Sequence, residues 1–217
     1  MSFRILVRAA EAETIVRGSR FRAWIGRALD PDEAAAVLDR RVAAGKDATH
    51  HCWAYRVWQG GRVEDAGFDA GEPGGTAGRP ILGSLQAAEL IQTVCVVSRW
   101  FGGVKLGTGG LVRAYAESAR SAIEAARESG AVLDARQEVP IDVRFPYALS
   151  GAVQRVVSRF AAASAGSEYG EVVRLELRVL ADRADAFERA LADGTAGAID
   201  LRRGRARWEA VPPRAAR

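Results

Sequence analysis

Apolar and polar positions along this chain switch between two periods, and the switches mark out its elements. Thr93-Val-Cys-Val-Val-Ser98 is an unbroken, largely β-branched run, which predicts a strand buried on both faces. Beyond it, Leu111, Val112, Tyr115, Ala119, Ala122, Ile123 and Ala126 recur at helical spacing until Gly130. Upstream, residues 14–29 alternate well enough for a strand with a bend at Gly18. A helix follows, with Asp30 as N-cap, Pro31 at its first position, Glu33 as capping-box partner and Gly45 at its end. Its apolar positions Ala34, Val37, Leu38 and Val42 share one face. Residues 50–58 read as a strand, turned by Gln59-Gly60-Gly61 into a second segment ending near Phe68.

Pro80 can open a short helix over residues 81–90. Near residues 134–139 the pattern restarts. Strands over 139–145, around 168–169, over 172–180 and over 199–201, with helices over 150–160 and 184–191, give the order β-α-β-β-α-β. That is the ferredoxin-like order. The reading is therefore α+β with two domains, residues 1–135 and 136–203, followed by a basic flexible tail at 204–217.

The candidate chemistry sits between the buried run and the long helix. Five glycines (Gly102, Gly103, Gly107, Gly109, Gly110) fall within nine residues, with Lys105 among them and Arg113 just beyond. Such a loop costs backbone entropy and is useful where φ is positive or the backbone must approach closely. At a helix N-terminus its free N–H groups and the helix dipole suit an anion. The spacing matches neither the P-loop nor the dinucleotide fingerprint, so tight packing of helix on sheet is the competing explanation. A second glycine- and proline-rich loop, residues 69–80, carries Asp69, Glu72, Thr76 and Arg79. Two such loops flanking one strand–helix unit point to a shared surface site, with a solvated connector as the alternative.

Composition narrows the classes. No apolar run approaches a membrane span, and charges begin at Arg4. Two cysteines without CxxC spacing point to a reduced, cytoplasmic setting. A net charge of +4 permits a polyanionic partner without demanding one. Of 31 basic residues all but Lys46 and Lys105 are arginine, so Lys105 stands out as a compact point charge in a tight loop. His50, His51 and Cys52 form a soft-ligand cluster in sequence, but on a strand His51 points away from the other two. Zinc would need two more placed ligands, so no metal is expected.

Three blocks then carry a resemblance: Asp47-Ala-Thr-His-His-Cys-Trp-Ala-Tyr-Arg56, Gly71-Glu-Pro-Gly-Gly-Thr-Ala-Gly-Arg-Pro80 and Arg99-Trp-Phe-Gly-Gly-Val-Lys-Leu-Gly-Thr-Gly-Gly-Leu-Val-Arg-Ala-Tyr115. In this order they resemble the signature blocks of the YigZ/IMPACT family. The resemblance covers the full chain. It implies an N-terminal domain like that of a small-subunit ribosomal protein and of elongation factor G, and a C-terminal domain like the last one of that factor. It also implies control of translation, since eukaryotic members block activation of an amino-acid-sensing kinase through a ribosome-binding activator. Ribosome or nucleic-acid binding by bacterial members is inferred from fold. This copy departs from the usual Ser-Asp-Asp-Gly-Glu-Pro with Phe68-Asp69-Ala70-Gly71-Glu72-Pro73. His51 replaces a common asparagine, Trp100-Phe101 a Tyr-Phe or Tyr-Tyr pair, and Gly18 a frequent lysine.

The sequence reading is a cytoplasmic RNA- or ribosome-binding protein without turnover, catalytic residues, cofactor or membrane contact. Lys105, Arg113 and the amides of residues 102–110 hold a phosphate, Arg79 and Arg99 extend the basic surface, and Glu72 orients the facing loop. Trp53, Tyr55 and Trp100 offer stacking surfaces if exposed. The rivals are a protein-interaction module without nucleic-acid affinity and a small phosphate-handling enzyme using Asp69 and Glu72. Oligomeric state and the identity of the partner are left open.

Overall fold

The structure, a computed structural model, describes residues 3–211. It divides into two units, one built from the described residues up to Ala135 together with Ala210 and Val211, the other from Arg136–Glu209.

The first unit is a five-stranded antiparallel sheet in the order β2-β3-β6-β4-β5, where β2 is Ala10–Val16, β3 Ser19–Arg27, β4 His50–Gln59, β5 Arg62–Phe68 and β6 Thr93–Trp100. Helices α2 (Gly78–Ala87) and α3 (Gly107–Glu128) pack on one face, against Phe21, Ala23, Ile25, Cys52, Ala54, Cys95 and Val97. Helix α1 (Pro31–Ala44) packs on the other, against Tyr55, Val57, Val94 and Val96. Both faces of β6 are thus covered, which is why its sequence is continuously apolar rather than alternating.

Residues 14–29 are not one bent strand. Arg17 and Gly18 both adopt positive φ, 46° and 81°, and make a two-residue turn joining β2 to β3. Two positive φ values in such a loop reverse the chain rather than bend it. Helix α1 begins as its sequence indicated. Asp30 accepts from the Glu33 N–H at 2.8 Å, and the Glu33 carboxylate accepts from Leu29 N–H at 2.9 Å. The following short helix starts at Gly78, ahead of Pro80.

Strand β1 (Phe3–Leu6) pairs with residues 132–135 of the long strand β7 (Val132–Pro146). In the second unit the sheet runs β10-β7-β9-β8, with β8 Ala163–Glu168, β9 Val172–Leu180 and β10 Asp200–Arg203, all antiparallel neighbours. Helices α4 (Ser150–Phe160) and α5 (Ala184–Gly194) cover one face through Val153, Phe160, Phe187 and Leu191. The expectation of a flexible tail from residue 204 fails at residues 207–210. Arg207–Ala210 forms strand β11, paired with β7, and buries Trp208. Residues 212–217 of that expectation lie outside the described residues.

Candidate functional site

Four elements of the first unit deliver side chains to one place. The end of β6 supplies Arg99, the loop after β5 supplies Glu72, α3 supplies Tyr115, and β4 supplies Cys52 and His50. The Glu72 carboxylate is nearly enclosed. Its Oε1 accepts from Arg99 Nη1 at 2.6 Å and from the Tyr115 hydroxyl at 2.7 Å. Arg99 also donates from Nη2 to Ser19 Oγ at 3.4 Å, and its Nε has no partner among the described residues. Cys52 Sγ lies 3.3 Å from the Tyr115 hydroxyl and 2.9 Å from the carbonyl oxygen of Asp69. Burial pushes the Cys52 thiol up to about 12, with Glu72 and Asp69 adding to the rise and Tyr115 and Arg99 opposing it. A thiol so raised is a weak nucleophile at neutral pH.

Above this network opens a cavity of about 340 Å³. Arg99, Glu72, Lys105 and Gly107 line it, four of the residues singled out in the sequence. Lys105 is exposed and without an ion-pair partner among the described residues. Helix α3 begins here at Gly107, which has φ +70°, and no side chain caps it. The first N–H groups of a helix lack intrahelical partners, so those of Gly107, Thr108, Gly109 and Gly110 form a local positive pole.

Several expected members fall elsewhere. Gly102 N–H is taken by Ser19 Oγ at 3.2 Å, so it is not free for an anion. Gly102 serves packing: a Cβ there would lie 1.9 Å from the carbonyl carbon of Gly18. Gly103 lies in the exposed loop with φ +87°. Gly109 and Gly110 have ordinary helical backbone in the first turn of α3, and Arg113, exposed, runs back beside Gly109. Arg79 is exposed on α2 and takes no part in the cavity wall. Nor are the three aromatics free platforms. Trp53 stacks on Phe68 at 4.4 Å, Tyr55 is buried, and the Arg20 guanidinium covers Trp100 at 4.0 Å.

Thr49 and Phe101, not among the site residues expected from the sequence, also line the cavity, as do His50, weighed there only as a metal ligand, and Thr108, weighed only for its amide. His50 Nδ1 lies 3.0 Å from the carbonyl of Ala70, so that nitrogen carries the hydrogen. His51 faces the other way and binds Ser98 Oγ at 2.8 Å; burial holds its pKa below the usual value. No cluster of three or more metal-ligating side chains occurs among the described residues.

Known proteins resemble this chain along most of its length. Residues 17–123 match the model of the Impact N-terminal domain, and residues 143–198 that of a domain of unknown function, DUF1949. The IMPACT family member YvyE of Bacillus subtilis is 41% identical over 110 residues, 51% of this chain and 50% of that protein. For the Haemophilus influenzae member the identity is 38%, covering 52% of this chain and 55% of the relative. These two matches span about half the length of each relative. YigZ of Escherichia coli is 30% identical over 193 residues, 86% of this chain and 90% of YigZ. The chain belongs to the IMPACT family. A crystal structure of a hypothetical protein, 25% identical, superposes over 92% of this chain and 96% of its own with a TM-score of 0.59. Among the described residues no helix is long and apolar enough to cross a membrane.

In this IMPACT family chain Asp69, one of two acids in the Phe68–Pro73 run, has a structural task. Asp69 accepts from the N–H of Gly75 at 2.7 Å and of Ala77 and Gly78 at 2.9 Å, tying the loop to the start of α2. Burial by itself raises its pKa, but the three N–H groups outweigh that and hold it below the usual carboxylate range. A lowered folded-state pKa adds stability above the unfolded value of about 4, and that stability is lost as pH falls through the folded value. Asp69→Asn should therefore cost about 1–2 kcal/mol at pH 7. Urea midpoints of the two proteins should converge on acidification below pH 4. A gap that persists unchanged at pH 2 would show that charge is not what the loop uses.

Proposed function

We infer that this chain is a non-catalytic, RNA- or ribosome-binding regulator of translation, and that the cavity of the first unit is its phosphate contact. One observation carries the reading: Lys105, exposed and unpaired among the described residues, shares a cavity with the uncapped N-terminus of α3. Translation control is what the family resemblance implies. In this reading the first unit is of the ribosomal-protein and elongation-factor kind, and the second is ferredoxin-like, supported by its strand order β10-β7-β9-β8.

The geometry disfavours the enzymatic rival. Phosphoryl transfer needs an acid to hold magnesium. Asp69 is spent on three backbone N–H groups, which leaves the cavity wall one acid, Glu72, whose charge is already paired with Arg99. The second unit offers a hollow of about 410 Å³ beside Arg178, Arg202 and Arg207, but Asp142 and Glu176 share its wall. Arg174 nearby is paired with both acids, and Arg178 with Glu138. The lysine-bearing cavity differs in also receiving the start of α3, which no side chain caps.

The test is a salt series with single-stranded RNA and with ribosomes. Lys105→Ala should make the slope of log K against log salt shallower by about 0.7, the share of one phosphate contact. Affinity should fall equally across sequences, since phosphate contacts position rather than specify. The fold should survive, as Lys105 is an exposed residue. Unchanged RNA and ribosome binding at both low and high salt would end the phosphate reading.

A further inference from the structure

The geometry points to a narrower ligand: we propose that the cavity takes one ribonucleoside 5′-phosphate, either free or as the phosphorylated 5′ end of an RNA. This rests on the phosphate reading above and adds a sugar contact to it. Its volume, about 340 Å³, lies at the small end of the range of roughly 300–1,000 Å³ typical of ligand sites. Such a space holds one nucleotide rather than a run of strand.

The wall offers three chemistries. Lys105, with the backbone and hydroxyl of Thr108 at the start of α3, suits a phosphate. Phe101, Leu106 and Leu111 provide apolar surface for a base; Phe101 is 48% exposed, with the Arg99 guanidinium 5.6 Å from its ring centroid. The third is Glu72, only 8% exposed. Both of its side-chain hydrogen bonds among the described residues fall on Oε1, which leaves Oε2 as an acceptor for a donor in the cavity that Glu72 lines.

That free acceptor decides between ligands. A carboxylate repels a second phosphate but accepts from a hydroxyl, and a ribose 2′-hydroxyl is such a donor. His50 lines the cavity too, and because its Nδ1 is engaged by the Ala70 carbonyl, Nε2 is the ring nitrogen left for a ligand. A backbone running through the cavity would bring phosphates on both sides of each sugar against Glu72. A free nucleotide brings one phosphate, for Lys105, and both ribose hydroxyls for the acid; a 5′-terminal nucleotide brings the 5′-phosphate and the 2′-hydroxyl, its 3′-oxygen continuing the chain.

The experiment uses the wild-type protein and varies the ligand, since Glu72 also holds the fold. Titration calorimetry with adenosine 5′-monophosphate is compared with its 2′-deoxy analogue and with adenosine. A short RNA is then measured with a 5′-phosphate and with a 5′-hydroxyl. Removing the sugar hydroxyl or the phosphate should each weaken binding about tenfold or more, the loss expected for a hydrogen bond to a charged group. Lys105→Ala should weaken the monophosphate and leave adenosine unchanged. Preference for the 5′-phosphorylated RNA over the free nucleotide assigns the ligand to an RNA end, and the reverse assigns it to a free nucleotide. Equal binding of the ribo and deoxy forms overturns the sugar contact. If the nucleotide does not bind and RNA binds equally with either 5′ end, the inference fails. The phosphate reading then still stands or falls on the Lys105 salt slope.

Discussion

Replacing Glu72 with methionine should lower the unfolding free energy by about 3–5 kcal/mol, seen as a fall in urea midpoint at unchanged m-value. The Glu72 and Arg99 side chains are 3% and 7% exposed and meet at 2.6 Å. Taking away one partner strands the other charge in a place water hardly reaches, and that uncompensated charge is the main cost. Tyr115 would lose its acceptor as well, adding an unsatisfied hydroxyl beside the Phe21 ring it meets edge-on at 5.2 Å. Arg99→Met should cost a similar amount for the mirror-image reason. The double variant, apolar on both sides, should recover much of the loss, because the buried pair has itself a desolvation penalty to meet. If the two single effects simply add in the double variant, the residues are not coupled and the network is misread.

An almost invisible change, Gly102→Ala, should be comparably damaging, at about 3 kcal/mol or more. The methyl carbon would sit 1.9 Å from the Gly18 carbonyl carbon and 2.0 Å from its oxygen. Backbone, unlike a long side chain, cannot swing aside. The β2–β3 turn or the loop after β6 must shift, and with it the Gly102 N–H bond to Ser19. A control is at hand in Gly83, exposed within α2 with no atom within 4 Å of an added Cβ. Gly83→Ala should instead stabilise by about 0.5–1 kcal/mol, since alanine loses less backbone entropy in a helix. Thermal and urea melts of the two variants should move in opposite directions. Equal tolerance at both sites would mean that the close approach at Gly102 is not rigid.

Elements whose signal is local were legible in the sequence. The capping residues of α1, the doubly buried run of β6, and the helix–strand alternation of residues 150–180 follow from short-range rules of period and termini. The Arg17–Gly18 reversal was missed because arginine carries no mark of positive φ, which strong hairpin pairs such as Asn-Gly do. In the cavity Glu72, Arg99, Lys105 and Gly107 were readable as types near a glycine loop, while their division of labour was not. Nothing in the spacing says that Tyr115 reaches Glu72 across 43 residues, or Cys52 across 63 to Tyr115. Such partners appear only once the sheet sets α3 against β4. Arg79 and Arg113 fell outside the wall because basic character alone does not say which way a helix face turns.

The meeting of three distant segments on one carboxylate oxygen also limits how the chain can drift. An exposed basic residue elsewhere on the chain can change with little cost to stability. At Glu72, Arg99 and Tyr115 that freedom ends. A lineage that altered Glu72 or Arg99 alone would pass through a folded-to-unfolded ratio lower by a factor of roughly a hundred or more before a second change could repair it. Substitutions there should arise in concert or not at all, and random mutagenesis selected only for folding should recover paired replacements at positions 72 and 99 far more often than single ones.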